Sequence, residues 1–180
     1  YFEQQQPQQF TENKYDVFGR IDTIISPAGN TMDYSYNNNT TTITNSGLGT
    51  SKSKTIDAWG EIASVTDPGG TIDYCYNSAN KIKEIQVSGT PVGSAIIMEY
   101  DEYGRQTLLD DPDAGVMEYQ YNAYGELEWQ KDAEGNEFDM EYDQLGRLEA
   151  KTCNDGTVTS YQYDLDPDAI GMLSSISSTN

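Results

Sequence analysis

A tyrosine recurs along this chain about every 21 residues, and Asp or Asn usually follows it. The pairs are Tyr15-Asp16, Tyr36-Asn37, Tyr76-Asn77, Tyr100-Asp101, Tyr121-Asn122, Tyr142-Asp143 and Tyr163-Asp164, with Ile56-Asp57 in the one vacant slot. Successive spacings are 21, 20, 20, 24, 21, 21 and 21. A period of this length specifies stacked supersecondary units, each burying its apolar face only against its neighbours. Chain length then sets the number of units rather than the number of domains.

The residues before each tyrosine alternate. Two positions earlier stand Tyr34, Lys54, Tyr74, Met98, Tyr119, Met140 and Tyr161; four earlier stand Met32, Lys52, Ile72, Ile96, Met117, Phe138 and Thr159. The intervening residues are polar, as in Asp33, Ser35, Glu118, Gln120, Asp139 and Glu141. This period of two marks a half-buried strand, one face aromatic and aliphatic, the other solvated and acidic.

A glycine follows the tyrosine by four at Gly19, Gly60, Gly104, Gly125 and Gly146, and an aliphatic follows by six at Ile21, Ile62, Ile82, Leu127 and Leu148. A second glycine, seven residues ahead of the tyrosine, comes at Gly29, Gly49, Gly69, Gly93, Gly135 and Gly156, with Gly115 displaced by one. Gly supplies positive φ, while Asp and Asn bond the local backbone, so both sets predict turns. Each unit reads strand, turn, strand, turn. The predicted fold is all-β: tandem antiparallel hairpins of about 21 residues in one continuous, twisted sheet of roughly fourteen to sixteen strands. Parity places each tyrosine and the aliphatic six residues later on one face.

Two places break the pattern. Asn37-Asn38-Asn39-Thr40-Thr41-Thr42 lacks the glycine turn, and Lys52 and Lys54 interrupt the apolar column, predicting a bulge or a weakly ordered unit there. The longer repeat carries its extra residues near Ser88-Gly89-Thr90-Pro91, predicting a longer loop. Residues 1–11 form a Gln-rich N-terminal segment and residues 12–177 the array of about eight repeats. The start on Tyr1-Phe2-Glu3 without Met, and an end just after Gly171–Ile176 restarts a strand, lead us to expect a piece of a longer array.

Composition narrows the partners. With 30 Asp and Glu against 10 Lys and Arg, the formal net charge is −20, which repels phosphate backbones and anionic lipid. No run of 18 apolar residues is present. Cys75 and Cys153 occupy non-equivalent repeat positions and read as free thiols.

Tyr100-Asp101-Glu102-Tyr103-Gly104-Arg105 and Tyr142-Asp143-Gln144-Leu145-Gly146-Arg147-Leu148 resemble the YD or Rhs repeat. The fuller unit, from Gly146-Arg147-Leu148 through Asn154-Asp155-Gly156 to Tyr161-Gln162-Tyr163-Asp164, follows it closely, and the resemblance covers about residues 12–177. The family includes bacterial Rhs toxins, shell-forming subunits of insecticidal toxin complexes, and teneurin ectodomains. The resemblance implies a spiralling sheet that builds a hollow shell, in a secreted or cell-surface bacterial protein. The family's core region, with autoproteolytic aspartates and Asp-Pro-x-Gly, has no counterpart here. Asp166-Pro167-Asp168 lacks that context, so neither self-cleavage nor a toxic segment carries over.

The residues that could carry chemistry have plainer readings. The Asp or Asn after each tyrosine reads as a turn starter, with Arg20, Arg105 and Arg147 four residues on as its ion-pair partners. Asp110-Asp111-Pro112-Asp113 and Asp132-Ala133-Glu134-Gly135-Asn136-Glu137 offer oxygens to Ca²⁺ but match no complete calcium loop; they read as solvated turns, and no cofactor is expected. The chain has no His, which excludes Ser-His-Asp and Cys-His catalysis. Phe18, Trp59, Tyr103 and Tyr124 stand three residues after the repeat position, either capping the sheet edge or forming a sugar- or protein-binding platform.

The expected function is therefore a non-enzymatic shell or scaffold segment. Its partners would be the rest of a larger chain or an enclosed polypeptide, with self-association through sheet face or edges. The alternative is a carbohydrate- or protein-binding surface module. A carboxylate hydrolase ranks third, since two of 30 carboxylates fall at catalytic spacing by chance.

Overall fold

The computed structural model describes residues 10–91, 93–168 and 170–179; most of the Gln-rich segment lies outside them. Every regular element among the described residues is a strand. The first seven are β1 (Glu12–Tyr15), β2 (Ile21–Ile25), β3 (Thr31–Asn37), β4 (Thr40–Asn45), β5 (Thr50–Ile56), β6 (Ile62–Asp67) and β7 (Gly70–Tyr76). Then come β8 (Ile82–Val87), β9 (Ile96–Tyr100), β10 (Gln106–Asp111), β11 (Gly115–Tyr121) and β12 (Leu127–Lys131). The last four are β13 (Glu137–Tyr142), β14 (Leu148–Cys153), β15 (Val158–Tyr163) and β16 (Leu173–Thr179). Strand order follows chain order from β1 to β16 in one sheet, as the all-β hairpin reading requires.

The chain divides into two compact units, Tyr1–Cys75 with Ile85–Pro91, and Tyr76–Glu84 with Val92–Asn180. In the first, β1 to β7 pair antiparallel in succession, as in Tyr15 opposite Ile21 and Val65 opposite Ile72. In the second, β9 to β16 do the same, with Tyr121 opposite Leu127 and Tyr142 opposite Leu148. Each of these three tyrosines faces the aliphatic six residues later, as parity requires.

No side chain among the described residues is fully buried. A sheet one layer thick has no interior, so stability rests on cross-strand pairs, each contributing about 0.2–1 kcal/mol. The faces separate much as the alternation predicts. In β13, Phe138, Met140 and Tyr142 are half-buried while Asp139 and Glu141 are exposed. Lys151 interrupts the apolar face opposite Met140, where its ammonium lies 3.9 Å from the Phe138 ring centroid.

The second repeat is more regular than its sequence suggests. β4 pairs with β3 from Thr40 to Asn45, and with β5 over the same residues, without a register shift on either side. Asn38 takes the left-handed conformation at φ 50° and closes a tight turn between Asn37 and Thr40. Asn tolerates this region better than other residues with a Cβ, so no glycine is needed. The expected bulge is absent there; bulges occur instead beside the repeat residue, between Lys14 and Tyr15, Gln120 and Tyr121, and Glu141 and Tyr142.

Candidate functional site

The recurring polar residues converge on the turn that follows each repeat position. In the first unit, Asp16 Oδ1 accepts from the backbone N–H of Phe18 and of Arg20, both at 2.9 Å. Asp57 does the same for Trp59 and Glu61. In the second unit, Asn77, Asp101, Asn122 and Asp143 each accept from the amides two and four residues on, at 2.8 to 3.0 Å. The backbone turns beneath this clasp. The Gly146 N–H donates to the Asp143 carbonyl at 3.0 Å, and Gly146 sits at φ 74°. This is a type I turn closed by a left-handed residue.

The second carboxylate oxygen takes the arginine. Arg20 Nε donates to Asp16 at 2.7 Å, Arg105 Nε to Asp101 at 2.6 Å and Arg147 Nε to Asp143 at 2.7 Å. Each guanidinium also covers the tyrosine of the next repeat: Arg20 lies 4.0 Å from the Tyr36 ring centroid, Arg105 4.7 Å from Tyr121, and Arg147 4.3 Å from Tyr163. Where Asn122 replaces Asp there is no arginine; its amide donates to Glu126 instead, at 2.7 Å.

The tyrosine hydroxyl completes the link backwards. Tyr36 donates to the Ile21 carbonyl, Tyr100 to Ile82, Tyr121 to Gln106, Tyr142 to Leu127 and Tyr163 to Leu148, at 2.8 to 3.0 Å. The reason lies in the ladder. β12 and β13 pair only from Lys131 with Glu137 to Trp129 with Asp139, then diverge, and β14 and β15 stop likewise at Ala150 with Ser160. The hydroxyl bridges the diverging end, where backbone groups no longer reach each other. Sequence reading missed this bond and the arginine over the next ring, because both join residues 15 to 18 positions apart.

The turn aromatics are more loosely held: Arg20 lies 5.1 Å from the Phe18 ring centroid and Arg105 5.0 Å from that of Tyr103. Phe18 and Trp59 are 79% and 85% exposed in the first unit, Tyr103 and Tyr124 76% and 91% in the second. All four stand in the turns with their rings largely open to solvent. Between Tyr124 and Leu145 an open groove of about 880 Å³ is lined by Glu126, Glu128, Glu141 and Glu149. Among the described residues, no three His, Cys, Asp or Glu side chains gather as metal ligands. Cys75 and Cys153 are free thiols.

The carboxylates at the turns respond to these partners. The Arg147 backbone N–H, then its guanidinium and the Leu145 N–H, hold Asp143 below its ordinary value of 3.8 against partial desolvation. The Arg147 side chain does the same first for Asp164, 2.7 Å away. A lowered folded-state value means the stabilisation is present above 3.8 and is lost as pH falls through the folded-state value. Melting temperature is therefore expected to drop on acidification below about pH 4, and to drop less in Arg147→Gln. Thermal melts between about pH 6 and 2 check this; identical acid profiles for parent and variant would contradict it.

No family profile and no curated protein matches the chain. Solved structures do. The crystal structure of TcdB2-TccC3-Cdc42 superposes at a TM-score of 0.48 and 16% identity over 94% of this chain. A Photorhabdus luminescens Tc holotoxin pore gives 0.47 and 16% over 94%. A porin-like protein from Bacteroides uniformis gives 0.25 and 15%, covering 93% of this chain and 81% of that one. The chain spans about 8% of the toxin chains it matches. At these scores neither family nor function follows from the likeness.

Proposed function

We propose that this chain is wall: a non-enzymatic YD-repeat segment that extends the β-shell of a larger secreted or cell-surface bacterial protein. The observation carrying this is that the recurring polar groups are spent inside the repeat. Six Asp or Asn oxygens bind turn amides, and five tyrosine hydroxyls bind neighbouring carbonyls. A repeated active site would keep such groups available to a substrate. Partners under this reading are adjoining repeats of the parent chain and whatever the shell encloses.

Cryo-electron microscopy of the full gene product tests it. The segment is expected as continuous wall, with further strands hydrogen-bonded along the outer edges of β1 and β16. A segment projecting as a separate module with both edges in solvent would sink the proposal. The exposed turn aromatics favour a second reading, a surface that binds carbohydrate or protein. Wall and binding surface are compatible, because the rings lie at turn tips and not in the ladder.

A further inference from the structure

We infer that the turn tips of the second unit bind a linear, uncharged β-1,4-linked glycan. This rests on the surface-binding reading and is independent of the wall. Tyr103, Tyr124 and Leu145 occupy equivalent places on three consecutive tips, 76%, 91% and 75% exposed. The fold does not require apolar groups there. It does hold their backbone fixed: the N–H of each donates to Asp101, Asn122 or Asp143, at 2.8 to 2.9 Å. Arg105, 5.0 Å from the Tyr103 ring centroid, restrains that ring as well.

Spacing selects the ligand. Two strands separate one tip from the next, so the posts stand roughly 10 Å apart. In a β-1,4-linked hexose chain each sugar is turned over relative to the last. The same apolar C–H face therefore returns once per disaccharide, a repeat of comparable length. An α-1,4-linked chain coils and offers no such straight row. Between the second and third posts the groove presents Glu126, Glu128, Glu141 and Glu149, carboxylates suited to accept from sugar hydroxyls. The same charges, within a chain of net charge −20, repel uronates and sulfated polymers, which leaves neutral glycans.

The test titrates the 180-residue chain with cellopentaose, chitopentaose and maltopentaose by calorimetry. Binding of either β-1,4-linked probe without maltopentaose supports the inference, and the stronger of the two names the sugar. Tyr103→Ala and Tyr124→Ala are each expected to weaken binding roughly fivefold to tenfold with melting unchanged, and Leu145→Trp to tighten it by a similar factor. Equal binding of maltopentaose, or affinity indifferent to all three substitutions, overturns the β-1,4 assignment. Binding of none overturns the glycan itself and leaves the wall reading intact.

Discussion

Gly115→Ala is expected to be among the most damaging single-methyl substitutions in this chain. Gly115 opens β11 at φ 85°, and a Cβ built there would lie 2.5 Å from the Ala133 Cβ. Two costs combine: left-handed backbone for a residue with a Cβ, about 1–2 kcal/mol, and overpacking, typically about 1–3 kcal/mol. Gly29→Ala separates them, since Gly29 has nearly the same φ, 84°, and nothing within 4 Å of the added methyl. Urea melts should place Gly115→Ala below Gly29→Ala by at least about 1 kcal/mol. Adding Ala133→Gly should recover that excess but not the backbone strain. Equal losses in the two single variants would show that the turns part freely and that the close approach is not enforced.

The second large effect is at Tyr142. Tyr142→Phe removes only the hydroxyl bond to Leu127, expected to cost about 0.5–1.5 kcal/mol. Tyr142→Ala also removes a half-buried ring from the apolar face, and about 2–3 kcal/mol is expected, less than for a fully buried aromatic. The ladder between β12 and β13 ends three residues short of Tyr142, at Asp139, so the loss falls on a region with little else to close it. Hydrogen exchange should show lower protection in β12 and β13 with other repeats less affected, as nearest-neighbour stacking implies. Burial, then the Glu126 charge, raises the Tyr142 ionisation above its ordinary 10.0. The hydroxyl's contribution is therefore complete below pH 10 and disappears as pH rises through the raised value. Protection that is unchanged in Tyr142→Phe at neutral pH would remove the bridging role.

The strands and their pairing were legible because alternation and turn chemistry are local. Tyr142, Met140 and Phe138 declare a strand face, and Asp143 with Gly146 declares a turn, all within nine residues. The pairing of Asp143 with Arg147 was legible for the same reason. Turns that use asparagine were harder to read. Asn38 and Asn80 carry left-handed backbone at φ 50° and 60°, yet Asn is equally common elsewhere, so the β3–β4 turn looked like a defect. The hydroxyl target of Tyr163 and the ring beneath Arg147 depend on which strand lies alongside, which spacing alone does not state. At the turn tips, the positions of Tyr103 and Tyr124 were visible in the period. Their exposure was not, because it depends on what fails to cover them.

The hydroxyl bridge has a consequence for how such a chain changes length. Each of the five bonded tyrosines leans on a carbonyl 15 to 18 residues earlier, so those repeats carry their own connection to a predecessor, and Ile56 marks a repeat without one. Excising 21 residues, from Asn122 to Tyr142, would join Tyr121 to Asp143 and restore both the turn and the bridge. Removing half as many would reverse the direction of every later strand and leave a tyrosine facing no carbonyl. Arrays of this kind therefore grow and shrink in whole units, and the gene's freedom to drift in length is quantised by a single phenolic bond.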